Sequence, residues 1–367
     1  MSTTAPAHTQ QRAFYPILPP FMLKHIARYG DLLEARSAKR TLTVDRQMRA
    51  ARMEFMAHAH DTEMVAPQPS SARREGLRRT IYVFQPRARR KLPGKRVRTE
   101  NSAPHEDTAV NEAFDGLGSA YRFFREVFGR YSVDDHDMPL MATVHYSSAY
   151  NNAFWNGEQM VFGDGDGQLF NSFTGCLEII GHELTHGIVQ YTAHLQYTLQ
   201  AGAVHESICD VMGMLLKQWA HGQTAAQSDW LIGADLLTDQ VQGVGLRSMR
   251  APGTAFDDPK LGKDPQPGHM DDYKRTTLDS GGVHINSGIP NRAFYLAATG
   301  FGGFAWEQAG KIWYHTLQDK NLRPHYGFKR FARLTLQNAV ALYGADSDAV
   351  KIVHEAWSQV GVLVESW

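Results

Sequence analysis

The chain has almost no cysteine, two residues in 367, and this excludes a scaffold held together by disulfides. Cys176 and Cys209 both fall in stretches that read as buried helix, so two free thiols are the favoured reading and a single disulfide is the alternative. There is no excess of charge either: 38 Lys+Arg stand against 38 Asp+Glu, and no net field draws the chain to nucleic acid or to an anionic membrane surface. No run of 18 or more apolar residues occurs, so nothing is expected to span a membrane. The first 23 residues lack both a basic region and a clean apolar stretch, so no Sec signal peptide is expected; the protein would stay in the cytoplasm or leave by a non-Sec route. Internal repeats and low-complexity tracts are missing too. What is left is an ordinary globular composition, long enough for two domains and an additional segment.

Residues 21 to 60 read as helical, with Phe21, Met22, Leu23, Ile26, Leu32 and Leu33 at helical spacing and Met48, Met53, Phe55 and Met56 after a basic stretch. Residues 1–65 are therefore read as a small helical module. Ala66-Pro67-Gln68-Pro69-Ser70-Ser71-Ala72-Arg73-Arg74 has the composition of an exposed, cleavable linker, placing a boundary over residues 66–76. Thr80 to Phe84 and Met141 to Tyr146 have strand character, and Val110 to Tyr131 a helical apolar period. From Phe173 onward amphipathic helices dominate: Cys176 to Tyr191, Val204 to Ala220, Pro290 to Thr299, Ala305 to Thr316, Tyr326 to Tyr343 and Asp346 to Val360. The body is thus α+β, with an α+β lobe over residues 77–198 and a helical lobe over residues 199–367.

The chemistry concentrates in His182-Glu183-Leu184-Thr185-His186. On a helix, His182 and His186 stand at i and i+4 and reach one cation, while Glu183 projects beside it. The pattern alone is a weak filter. A catalytic zinc takes three protein ligands and keeps one position for water, so a third ligand is needed. Glu206 is the candidate, 20 residues after His186 in Val204-His205-Glu206-Ser207-Ile208-Cys209-Asp210. Asp210, one turn further on, would accept the outer N–H of a ligand histidine. His205 is an adjacent alternative ligand, about 100° away around the helix.

With these residues in hand, the sequence resembles the thermolysin family of zinc metallopeptidases from about Tyr82 to the C-terminus. The matching motifs are Asn151-Asn152-Ala153-Phe154-Trp155-Asn156-Gly157, Gly163-Asp164-Gly165-Asp166-Gly167, the histidine motif, Glu206 to Asp210, Leu246-Arg247-Ser248-Met249, and Asp279 to Gly288. The resemblance implies a two-lobed fold, β-rich then helical, with the histidine helix on the floor of the cleft between the lobes. It implies a zinc endopeptidase in which Glu183 takes a proton from water and passes it to the leaving nitrogen. His284 and Tyr197 would donate to the oxyanion, with Asp279 orienting His284. Asn152, Ala153 and Arg247 would hold an extended substrate backbone, and Phe170, Phe173, Ile179 and Leu246 would line an apolar pocket after the scissile bond. The implied partners are peptide and protein substrates, with room for a separate protein inhibitor. A zinc aminopeptidase and a catalytically silent peptide-binding homologue are the alternatives; the first should show an acidic, amine-recognising motif where this chain has Asn151 to Trp155, and the second should have lost a ligand or the base.

Two departures are visible. Many relatives bind a pair of calcium ions beside the catalytic helix, and the matching positions here are Glu178, Lys217, Asp229, Leu231, Ala234 and Asp235. Three of the six carry no acid, and a hard divalent cation needs six or more oxygens, so the double site is expected to be absent. The Lys217 ammonium would pair with Glu178, Asp229 and Asp235 instead. The Gly-Asp-Gly-Asp-Gly stretch is read as a structural turn, not an ion loop. Secondly, the N-terminal module resembles the short propeptides of the protealysin-like branch, including Pro19-Pro20-Phe21-Met22-Leu23. It would act in cis as chaperone and inhibitor, with processing between about Met56 and Arg74; a permanently attached docking module is the alternative.

Overall fold

The computed structural model describes residues 14–59, 76–85 and 92–365, residues 51–59 as backbone only. The processing region between Met56 and Arg74, and the side chains of Met53, Phe55 and Met56, lie outside this description. Tyr15–Pro16 form a short strand (β1), followed by helices Pro20–Tyr29 (α1) and Leu32–Ala59 (α2). Proline opens α1, where its fixed φ suits the first turn and its missing N–H would have had no helical partner. Asp31 accepts from the amides of Leu33 and Glu34, and Glu34 accepts from the Asp31 amide at 2.7 Å, a reciprocal cap that starts α2. Met22, Leu23 and Ile26 are buried. Leu32 and Leu33 depart from the expected apolar face: they sit in the capped first turn of α2 and are 85% and 66% exposed.

Arg79–Val83 (β2), Lys95–Thr99 (β3), Thr108–Phe128 (α3), Leu140–Val144 (β4), Ala153–Trp155 (β5) and Met160–Phe162 (β6) follow. The six strands form one sheet in the order β1-β5-β6-β4-β2-β3, with β2, β4 and β6 parallel and the other pairings antiparallel. The N-terminal segment therefore extends the sheet past β5. Lys-Arg-Val-Arg-Thr of β3 carries no apolar alternation; it forms the opposite edge, where Lys95 and Arg96 face solvent while Arg98 is buried over the Phe114 ring. Asp107 caps α3 through the Ala109 amide, and Gly129 ends it in the left-handed conformation.

Two central helices, Leu177–Gln190 (α4) and Leu199–His221 (α5), are buried along nearly their whole lengths. Glycine sets their separation. A Cβ on Gly213 would lie 2.3 Å from the carbonyl oxygen of Glu178, and one on Gly181 would lie 2.9 Å from the Cα of Gly213. Only hydrogen at these points allows the backbones to approach so closely. The short pairs Leu231–Ile232 (β7) with Arg247–Ser248 (β8) and Asp257–Asp258 (β9) with Gly262–Lys263 (β10) come next. The chain then forms Asp279–Asn286 (α6), Gly288–Phe301 (α7), Ala309–Gln318 (α8), Phe328–Tyr343 (α9) and Asp348–Gln359 (α10). Among the described residues no helix is long and apolar enough to cross a membrane.

Candidate metal centre and cleft

Close packing of α4 on α5 brings His182, His186 and Glu206 together, all buried. His182 Nε2 and His186 Nε2 are 3.1 Å apart, with Glu206 Oε2 3.5 Å from the first and Glu206 Oε1 3.7 Å from the second. A tetrahedral zinc with bonds of about 2.05 Å has ligand-to-ligand edges of about 3.3 Å, so the two nitrogens and the carboxylate are spaced to hold one such ion. Glu206 Oε2 and both oxygens of Glu183 are buried without a hydrogen-bond partner, an arrangement that needs a cation or a reacting group nearby. Burial, with the Glu206 charge adding to it, pushes the Glu183 carboxyl well above its usual range.

The outer nitrogens of the two histidines have different partners. His182 Nδ1 donates to Asp210 Oδ1 at 2.9 Å, which leaves Nε2 as a lone-pair donor. Asp210 is a hub: Arg247 grips it with two contacts of 2.9 and 2.7 Å, and Asn291 Nδ2 donates to it at 2.9 Å. Against the opposing effect of burial, Arg247 and His182 hold the Asp210 carboxyl well below the usual carboxylate range. His186 Nδ1 instead meets His205 Nε2 at 3.0 Å and Cys209 Sγ at 3.3 Å. His205 and Cys209 thus stand behind a ligand, on its outer nitrogen and away from the Nε2 pair. His182, His186 and Cys209 also form a compact group, but burial raises the Cys209 thiol well above its normal range, keeping it neutral. Both cysteines are free and buried.

Across the cleft, α6 is broken by left-handed backbone at Asp279, Ser280, Gly281 and Gly282. For Asp279 and Ser280 this conformation is strained, and it turns His284 into the cleft. The Asp279 carboxylate accepts from the His284 amide at 2.8 Å and from its Nδ1 at 2.7 Å, while His284 Nε2 donates to the Pro16 carbonyl at 2.9 Å. With acceptors on both nitrogens the ring is held as a cation; burial opposes this, but Asp279 and Glu206 raise its pKa to about 9. Tyr197 OH bonds Glu206 Oε1 and lies 3.3 Å from His284 Nε2.

The N-terminal segment fills this cleft. Ile17 donates its amide to Ala153 O at 3.0 Å and accepts from Arg247 at 3.3 Å. The Asn152 side chain accepts from the Leu18 amide at 2.8 Å and donates to the Leu18 carbonyl at 3.2 Å. The Tyr15 ring stacks on His186, centroids 4.7 Å apart at 21°. Phe170, Phe173, Ile179 and Leu246 are all buried in the main apolar core, to which Ile17 and Leu18 also belong, and Leu246 in addition borders a small cavity shared with Pro19, Phe21, Met22, Arg247 and His284. Sequence reasoning did not find Asp45: from α2 it accepts from Asn152 Nδ2 at 3.1 Å and from Tyr150 OH at 2.6 Å. A lone acid in a charged helix carries no motif that singles it out.

At the start of α4, Lys217 Nζ of α5 lies 3.0 Å from Asp229 and 3.8 Å from Glu178. Asp235, the expected third partner, does not join this ion pair and acts on Lys217 only as a more distant charge. Glu178 is held instead by the Gly233 amide at 3.0 Å. In the Gly-Asp-Gly-Asp-Gly turn, Asp166 accepts from the amides of Gln168, Leu169 and Phe170, and Asp164 pairs with His145 at 2.8 Å, so these carboxylates are engaged within the fold.

Residues 43–190 match the thermolysin metallopeptidase catalytic domain, and residues 193–362 match its alpha-helical domain. An extracellular metalloprotease of Pectobacterium carotovorum is 46% identical, over 97% of this chain and 98% of its own length. Protease PrtS of a Photorhabdus strain is 43% identical, over 97% and 94%. The solved precursor of protealysin, a metalloproteinase from Serratia proteamaculans, aligns with a TM-score of 0.85 and 47% identity, over 95% of this chain and all of that one. Family-level similarity along almost the whole length, around a three-donor centre of zinc dimensions, gives the identification: the chain belongs to the thermolysin family of zinc metallopeptidases and is a metalloendopeptidase.

Proposed function

We propose that the chain cuts internal peptide bonds ahead of hydrophobic residues and that its own N-terminal segment holds it inactive until displaced. The observation that carries this reading is the seating of residues 16–18 on Asn152, Ala153, Arg247 and His284, the positions the family resemblance assigns to substrate. Zinc held by His182, His186 and Glu206 would polarise the scissile carbonyl and lower the pKa of a water molecule toward about 7. Glu183, buried beside this triad, is placed to take the water proton and give it to the leaving nitrogen. His284 brings a positive N–H to the carbonyl oxygen, and Tyr197 a second donor, where negative charge develops. Arg247, anchored on Asp210, ties substrate grip to the orientation of His182. The complete burial of the apolar Ile17 side chain at this point supports a preference for a hydrophobic residue after the cut. Lys217 takes the place of a calcium pair at the start of α4.

A peptide blocked at both ends, with one internal Gly–Leu bond and a Gly–Asp counterpart, tests the reading. The full chain, once active, should cut the first at least tenfold faster than the second. Failure on blocked peptides with success on free amino termini would replace it with an aminopeptidase.

A further inference from the structure

The carbonyl gripped by the oxyanion donor is the one positioned for attack, and in this structure that carbonyl belongs to Pro16. The next amide, Ile17, donates to Ala153, its carbonyl meets Arg247, and Leu18 takes both ends of the Asn152 amide. The Pro16–Ile17 bond therefore occupies the position of a bond about to be cut, inside an enzyme that would cut it. Pro16 lies opposite Phe154 and Tyr15 opposite Trp155 in the antiparallel pair. Since Ile17 bonds Ala153, residue 16 is at a non-hydrogen-bonded position, where its N–H and C=O direct away from β5 into the cleft. Proline is tolerated there because no ladder bond is lost. Its ring, however, fixes φ near −65° where an antiparallel strand relaxes to about −140°, and it puts a methylene on the cleft side where other residues carry a small N–H.

We propose that Pro16–Ile17 lies in the productive register and that Pro16 itself keeps it uncut, so the enzyme discriminates against proline immediately before the scissile bond. This rests on the endopeptidase reading above. Hydrolysis here would form a bond from water oxygen to the residue-16 carbonyl carbon and break the bond from that carbon to the Ile17 nitrogen. Glu183 would carry the water proton to that nitrogen, leaving a carboxylate on residue 16 and an amine on Ile17; water is the only other reactant. The carbonyl carbon must become tetrahedral with its oxygen between His284 and Tyr197, and the ring, which locks φ and carries a methylene into the cleft, resists the shift of the residue-16 backbone that this requires.

The test compares the full chain with P16A and with P16A/E183Q, by intact mass and N-terminal sequencing over time. P16A should acquire a new terminus at Ile17 on the order of a hundredfold faster than the wild type, and the double variant should keep the bond. A P16A chain that hydrolyses the blocked reporter yet leaves bond 16–17 intact overturns the proposal. Should P16A fold poorly, peptides spanning residues 12–22, in wild-type and P16A form, are given to full chain already active on the reporter. The wild-type peptide should inhibit and survive while the P16A form is cut after residue 16; equal survival or equal cleavage overturns the proposal. Absence of reporter hydrolysis under every condition would instead remove the endopeptidase reading, and this proposal with it.

Discussion

The two ends of α4 solve the same problem in opposite ways. Near its start, the buried Glu178 faces the chain's own cation, Lys217. One and two turns later, the Nε2 atoms of His182 and His186 converge on Glu206, whose nearest positive charge is the His284 ring at 3.5 Å, and carboxylate oxygens of Glu183 and Glu206 are left without hydrogen bonds. A buried acid needs a counter-charge or a proton. A lysine supplies a permanent one and yields a structural site; three neutral or acceptor donors at zinc spacing supply none and yield a site for an ion. The difference teaches that metal sites are recognised less by their acids than by buried lone pairs that converge on one point without a donor to satisfy them.

The comparison breaks most visibly at Lys217. In K217M, Glu178 keeps its burial and loses its partner, which should cost about 3 kcal/mol. Burial already raises the Glu178 carboxyl, Lys217 opposing this; without the lysine the folded-state pKa rises further. A raised pKa gives stability that is full at low pH and lost as pH rises, so the melting temperature of K217M should fall further below the wild type at pH 8 than at pH 5. A calcium-selective chelator should leave the wild-type melting temperature unchanged. A large drop would show that calcium, not Lys217, carries this end.

Asp45 sharpens the same point with a smaller effect. Its closest guanidinium, Arg49, is 3.8 Å away, and burial outweighs Tyr150, Arg49 and Asn152 in raising its pKa from 3.8 to about 6. The docked module therefore holds a proton that the released module gives up. Docking is strongest below about pH 4 and weakens as pH rises through 6, by a factor of at most roughly a hundred. Reporter hydrolysis by unprocessed chain should rise between pH 5 and pH 7.5 beyond any change seen in D45N. Equal profiles would mean that Asp45 does not sense pH.

Much of the helical framework was legible, because period-3.6 burial of residues such as Val110, Leu117 and Phe124 is written directly in the sequence. The helix carrying His182 and His186 was equally plain. The strand at Tyr15–Pro16 was not: it is two residues long, contains proline, and exists only because β5, far along the chain, offers it an edge. Leu32 and Leu33 look like core until the Asp31–Glu34 cap turns them outward. The contacts of His205 and Cys209 with His186, and of Asp45 with Asn152, depend on how α4, α5 and α2 pack, which spacing along one helix cannot report. Asp235 was placed with Lys217 by position alone, and the fold keeps it apart.

Zinc content and hydrolysis of a doubly blocked peptide, measured together on the Glu183→Gln chain, test the central claim most directly. The prediction is about one zinc per chain, as in the wild type, with hydrolysis reduced on the order of 10²- to 10⁴-fold. Wild-type hydrolysis by a zinc-loaded Glu183→Gln chain would contradict it.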